Sequence, residues 1–78
     1  MTYRLSKLAP GSYDVILNGV IVGGLVRTQS HDGSNWTAEL LVDLPPDQRP
    51  APFSSTEHAF ADLDEACRWL GLPGIPSD

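Results

Sequence analysis

Apolar and polar positions alternate through the first half of the chain, and a helical stripe closes it. Tyr3 to Leu8 could form a first strand, ended by the turn signal Pro10-Gly11. Ser12 to Leu17 predicts a second strand. Asn18-Gly19 follows, a pair favoured in two-residue hairpin turns because both positions need positive φ. With that turn, Leu17 faces Val20, Ile16 faces Ile21, Val15 faces Val22 and Tyr13 faces Gly24, where the ring would cover bare backbone. Gly23-Gly24 invites a bulge that would shift the pairing beyond it. The third strand runs to about Thr28, Ser30 to Asn35 reads as a polar loop, and Trp36 to Asp43 reads as a fourth strand.

Leu63, Ala66, Cys67 and Leu70 then fall at i, i+3, i+4 and i+7, the stripe of an amphipathic helix. Asp62 can cap it and Glu65 can close the capping box. Gly71 supplies the left-handed residue that ends the helix, and Pro73 prevents its resumption. Before it, Leu44 to Pro52 holds four prolines in nine residues, which predicts an irregular segment wrapped on an edge. Phe53 to Phe60 admits two readings. Ser54 with Glu57 forms another capping-box pattern, giving one continuous helix, whereas Thr56 to Phe60 could add a fifth strand. The cleaner box at Asp62 favours strand then helix. The expectation is an α+β fold in a single domain over residues 1–78: an antiparallel sheet of four to five strands with one C-terminal helix packed on one face.

That arrangement sorts the side chains into two faces. Tyr13, Val15, Leu17, Val20 and Val22 share one with Trp36, Ala38, Leu40 and Val42, and the helix covers it. The other would carry Ile16, Ile21, Leu25 and Leu41 among Asp14, Arg27, Glu39 and Asp43. Four aliphatic residues ringed by charge invite three coverings: the proline-rich loop or first strand, a second copy, or another protein.

Composition narrows the functions. The 78 residues carry ten acidic and five basic side chains, a formal charge of −5, and the basic ones are scattered. Clamping phosphates needs several cations on one face, so direct nucleic-acid contact is not expected and a basic protein surface is. The longest apolar stretch, Val20 to Val26, is too short to span a bilayer, and the first residues lack a signal-peptide pattern. The expectation is therefore no membrane partner and a cytoplasmic protein. One cysteine excludes an internal disulfide, and its place on the stripe predicts an inert buried thiol.

Little conventional chemistry is present. His31, Asp32, His58 and Cys67 are the reactive types, and no two have a spacing typical of zinc ligands. His31-Asp32 fits a turn before Gly33. No cofactor, no metal and no catalytic residue is expected, and the chain is expected not to be an enzyme. Asp62, Asp64 and Glu65 gather at the helix start, where carboxylates complement the positive end of the dipole. Trp69 lies off the stripe, either at the core rim or exposed as an anchor for a partner.

The hairpin Tyr13-Asp-Val-Ile-Leu-Asn-Gly19, the strand opening Trp36-Thr-Ala-Glu-Leu-Leu41 and the closing segment Phe60 to Gly71 resemble small proteobacterial and prophage-encoded proteins. Among these the chain is most similar to anti-CRISPR proteins of the type I class, type I-C inhibitors among them. The resemblance covers most of the chain and rests on architectural motifs. It implies a phage-derived inhibitor in the host bacterial cytosol that binds a Cascade surveillance complex and blocks its target DNA. Charge and expected exposure then make Asp14, Glu39, Asp43, Asp62, Asp64, Glu65 and Trp69 the candidate partner-binding residues. The alternative is a small acidic interaction or regulatory domain, possible as a homodimer, unrelated to CRISPR. The closing segment is also similar to the arm-binding domains of phage integrases, whose sheets are basic where this one is acidic. That departure argues against DNA contact.

Overall fold

Asn18 and Gly19 adopt φ of 52° and 82° and form the tight turn that their sequence predicts. They join β2 (Ser12–Leu17) to β3 (Val20–Ser30). The computed structural model describes residues 3–30, 33–41 and 44–75. β1 (Tyr3–Ala9), β2, β3, β4 (Gly33–Leu40) and β5 (Glu57–Phe60) form one antiparallel sheet in sequential order. A short 3-10 turn, Pro46–Gln48, lies in the proline-rich segment, and the helix α1 (Leu63–Trp69) follows β5. The strand-then-helix reading of Phe53 to Phe60 is therefore the one the chain adopts.

The β2–β3 register holds as expected for Leu17↔Val20 and Ile16↔Ile21, then shifts. Val22 is left without an opposite residue, so Val15 pairs with Gly23 rather than Val22, and Tyr13 with Leu25 rather than Gly24. A bulge of one residue exchanges the two faces of everything beyond it. Leu25, expected on the outer face, is fully buried in the core. Arg27 moves with it, opposite Trp36 and on the helix side. The Tyr13 ring meets Trp36, with centroids 5.9 Å apart, instead of covering Gly24. Gly23 is needed at this point, because a Cβ there would run into the carbonyl oxygen of Glu39 on the neighbouring strand.

β4 begins three residues earlier than expected. Gly33, Ser34 and Asn35 have weak strand preference, but pairing with Ser30, Gln29 and Thr28 extends the hairpin through them. The turn expected at His31-Asp32 and the strand end expected at Val42-Asp43 lie outside the described residues.

On the covered face Tyr3, Leu5, Tyr13, Val15, Leu17, Leu25, Ala38 and Phe60 are buried. Ala66, Cys67 and Leu70 of the helix segment close over β4 and β5, and Leu63 is half-buried beside them. Burying a residue such as Leu25 contributes about 1.5–3 kcal/mol. Phe53 covers the sheet nearer β1: its ring lies 6.3 Å from Tyr3, whose hydroxyl donates to the Ala51 carbonyl at 2.7 Å. The proline-rich segment thus folds onto the same side as the helix. Val20, expected on this face, is 61% exposed at the end of the sheet.

Asp62 caps the helix and Gly71 ends it as the sequence predicts, whereas Glu65 reaches one residue past the expected N–H of Asp62. Asp62 Oδ1 accepts from the Glu65 amide at 2.8 Å, while Glu65 Oε2 reaches back to accept from Ala61 N–H at 3.2 Å. A cap of this kind stabilises a helix by about 1 kcal/mol, a large share for seven residues. At the other end Gly71 takes φ 79°, and Leu72 N–H donates to the Cys67 carbonyl at 2.9 Å.

Candidate functional site

Among the described residues no helix or loop lies over the opposite face of the sheet. Arg4 of β1, Asp14 and Ile16 of β2, Gly24 and Val26 of β3, Thr37 and Glu39 of β4, and Glu57 and Ala59 of β5 alternate with the buried positions. Every one of them is half-buried or exposed.

Register lines up the carboxylates on this face. Ser6 pairs with Asp14, Asp14 with Gly24, Gly24 with Glu39, and Glu39 with Glu57. Three acids therefore occupy one row that crosses the sheet, with only Ser6 and Gly24 between or beside them. Neighbouring strands lie about 4.8 Å apart, so Asp14 and Glu39 are separated by roughly 10 Å across the bare Gly24 backbone. A Cβ at Gly24 would meet only the Tyr13 carbonyl oxygen, at 3.7 Å, so the space above it is open. Arg4, in the next row opposite Ile16, is the cation of this face. Among the described residues none of the three carboxylates has an ion-pair partner; the salt bridge present is Arg68–Asp64 at 3.2 Å on the helix.

The structure divides the sequence-predicted binding residues. It brings Asp14 and Glu39 together in the row and adds Glu57, which sequence reasoning missed. The available signal was the inward placement of His58 and Phe60, which turns Glu57 outward once Thr56 to Phe60 is taken as a strand. Asp62, Asp64 and Glu65 lie in the helix layer, where they serve as cap, i,i+4 partner of Arg68 and acceptor for the Ala61 amide just before the cap. Trp69 is half-buried, its ring 4.8 Å from Phe53, 4.7 Å from His58 and 5.0 Å from Phe60. Its indole belongs to the rim of the core. Asp43 lies outside the described residues.

At the end of the sheet where β4 stops, an apolar groove of about 280 Å³ opens between Val20, Ile21 and Val22 of β3 and Leu40, Leu41, Leu44 and Pro50. Val20, Ile21 and Leu41 are among the most exposed large apolar side chains described, at 61%, 47% and 66%. Ile21 belongs to both features, because it is the cross-strand partner of Ile16 on the open face.

His58 and Cys67 do not form a nucleophile and base. His58 Nε2 accepts from the Ser55 amide at 3.2 Å, and Cys67 is fully buried. Burial, with a smaller contribution from the Asp64 carboxylate, pushes the Cys67 thiol pKa up, away from the reactive thiolate. Among the described residues no group of three or more His, Cys, Asp or Glu is placed to hold a metal ion. Among the same residues no helix is long and apolar enough to cross a membrane.

Fold and surface together define a small α+β domain with an acidic sheet face that no other described element covers. Compared with known protein families, curated proteins and solved structures, the chain matches none.

Proposed function

We propose that this chain is a non-enzymatic binding protein whose open sheet face docks on a cationic protein surface. The observation that carries the reading is the row Asp14, Gly24, Glu39 and Glu57, three carboxylates with no ion-pair partner among the described residues, on a face that no described helix or loop covers. Such a row attracts Lys- and Arg-rich surfaces over several ångströms and disfavours phosphate. It also disfavours stacking of two copies face to face, since each would bring its own carboxylates to the contact.

The resemblance in the β2–β3 hairpin, the Trp36 strand and the closing segment supports a specific partner, a type I Cascade, I-C among them, in a bacterial cytosol. Its basic DNA channel is the kind of surface this face suits, and occupation would keep target DNA out. A gel-shift assay tests this reading. The chain should abolish Cascade–DNA complexes at near-stoichiometric ratios while leaving free duplex unshifted. A shift of duplex by the chain alone, or intact Cascade–DNA complexes at excess inhibitor, would refute it. The same face also suits a regulatory interaction domain unrelated to CRISPR, the reading left if Cascade is ignored but another cationic protein is bound.

A further inference from the structure

The groove at the end of β3 adjoins the acidic row, and the two differ completely in chemistry. Among the described residues the groove is lined by aliphatic side chains and one proline, with no charged or hydrogen-bonding side chain. Glu39 stands two residues before Leu41 of the groove, about 7 Å along an extended chain. Ile21 connects the groove to the face through Ile16. We propose that the groove receives a large aliphatic or aromatic side chain from the same cationic polypeptide that meets the carboxylates. The partner segment would carry an apolar residue two positions from a Lys or Arg. The proposal rests on the reading of the open face as a docking surface and adds an uncharged anchor to it.

Charge selects this occupant over the others an apolar groove could take. A second copy would bring two chains of charge −5 together beside their carboxylate rows. An anionic membrane surface is repelled by the same acids. A nucleic-acid base would find no aromatic ring to stack on in this groove, and its phosphates would face Glu39. A cationic segment with one apolar side chain satisfies both surfaces. The row would govern encounter and the groove would govern residence, since charges at a rim act mainly on association and buried apolar contacts on dissociation.

Two synthetic probes test the proposal on the full chain labelled with nitrogen-15. One is a capped peptide with three Arg, successive Arg separated by three Gly. The other is the same peptide with one Gly replaced by Leu, two residues from an Arg. Both should shift the amide signals of Asp14, Glu39 and Glu57. The Leu peptide alone should shift Val20, Ile21 and Leu41, and it should bind about tenfold more tightly. The exposed-rim variant Leu41→Ser should remove that advantage while leaving the Leu-free peptide unaffected. Equal affinities, or unmoved groove signals, would overturn the anchor and leave the acidic docking face standing. Failure of both peptides to move the row signals would overturn the docking reading as well. A dimer by light scattering that Leu41→Ser dissociates would assign the groove to a second copy and overturn the proposal.

Discussion

Glu39 and Glu57 stand directly opposite each other on β4 and β5, like charges in register on the open face. Directly opposed like charges cost a sheet about 0.2–1 kcal/mol, toward the lower end where solvent screens them. Glu57→Lys should therefore raise the melting temperature slightly, because it replaces repulsion by a cross-strand pair. The same substitution should weaken binding to the cationic partner. Calorimetric melting and a binding assay on one protein check both signs. A variant both more stable and equally competent would separate this pair from function.

Gly23 and Gly24 are adjacent in sequence and opposite in consequence. Gly23→Ala forces its Cβ against the Glu39 carbonyl and should cost about 1–3 kcal/mol or prevent folding. Gly24→Ala has only the Tyr13 carbonyl at ordinary contact distance and keeps the fold. Urea denaturation of the two variants gives the comparison, and similar midpoints would contradict the bulge geometry.

That bulge also explains what was legible in the sequence. The Asn18-Gly19 turn, the limits of β2 and the capped helix were legible because each is set by local backbone chemistry. Which side Leu25 takes was not, because it depends on where between Ile21 and Gly23 the extra residue falls. The glycine pair signals a bulge, but its position is fixed by the approach of Glu39 from another strand. The early start of β4 was hidden for a similar reason: Gly33 to Asn35 gain their strand conformation from partners on β3. Asp14 and Glu39 were legible as surface acids. Their alignment with Glu57 needed the register of four strands, which no local pattern encodes.

Tyr3 links β1 to the proline-rich segment through its 2.7 Å hydrogen bond to Ala51. Tyr3→Phe keeps the ring contact with Phe53 and should cost about 1 kcal/mol. Burial raises the phenol's pKa above its ordinary value of 10.0, so the unfolded chain loses this proton first as pH rises. The contribution is fully present below pH 10 and declines as pH climbs from there toward the folded-state pKa. Stability against urea should fall more steeply above pH 10 in the native chain than in Tyr3→Phe. Equal slopes would contradict the assignment.

Cys67 is shielded by burial and its thiol pKa is raised, with Asp64 adding to the effect. In the native chain at neutral pH it should react with a thiol-specific reagent at least about a hundredfold more slowly than in denaturant. Fast modification of the folded chain would show that the helix does not seal this part of the core.

The most direct measurement compares the native chain with Asp14→Asn/Glu39→Gln/Glu57→Gln for binding to purified type I-C Cascade at low and physiological salt. Matched circular dichroism establishes that both are folded. The native chain should bind with an affinity that declines with salt, and the neutralised variant should lose about tenfold or more. Equal, salt-independent binding by the two proteins would contradict the account.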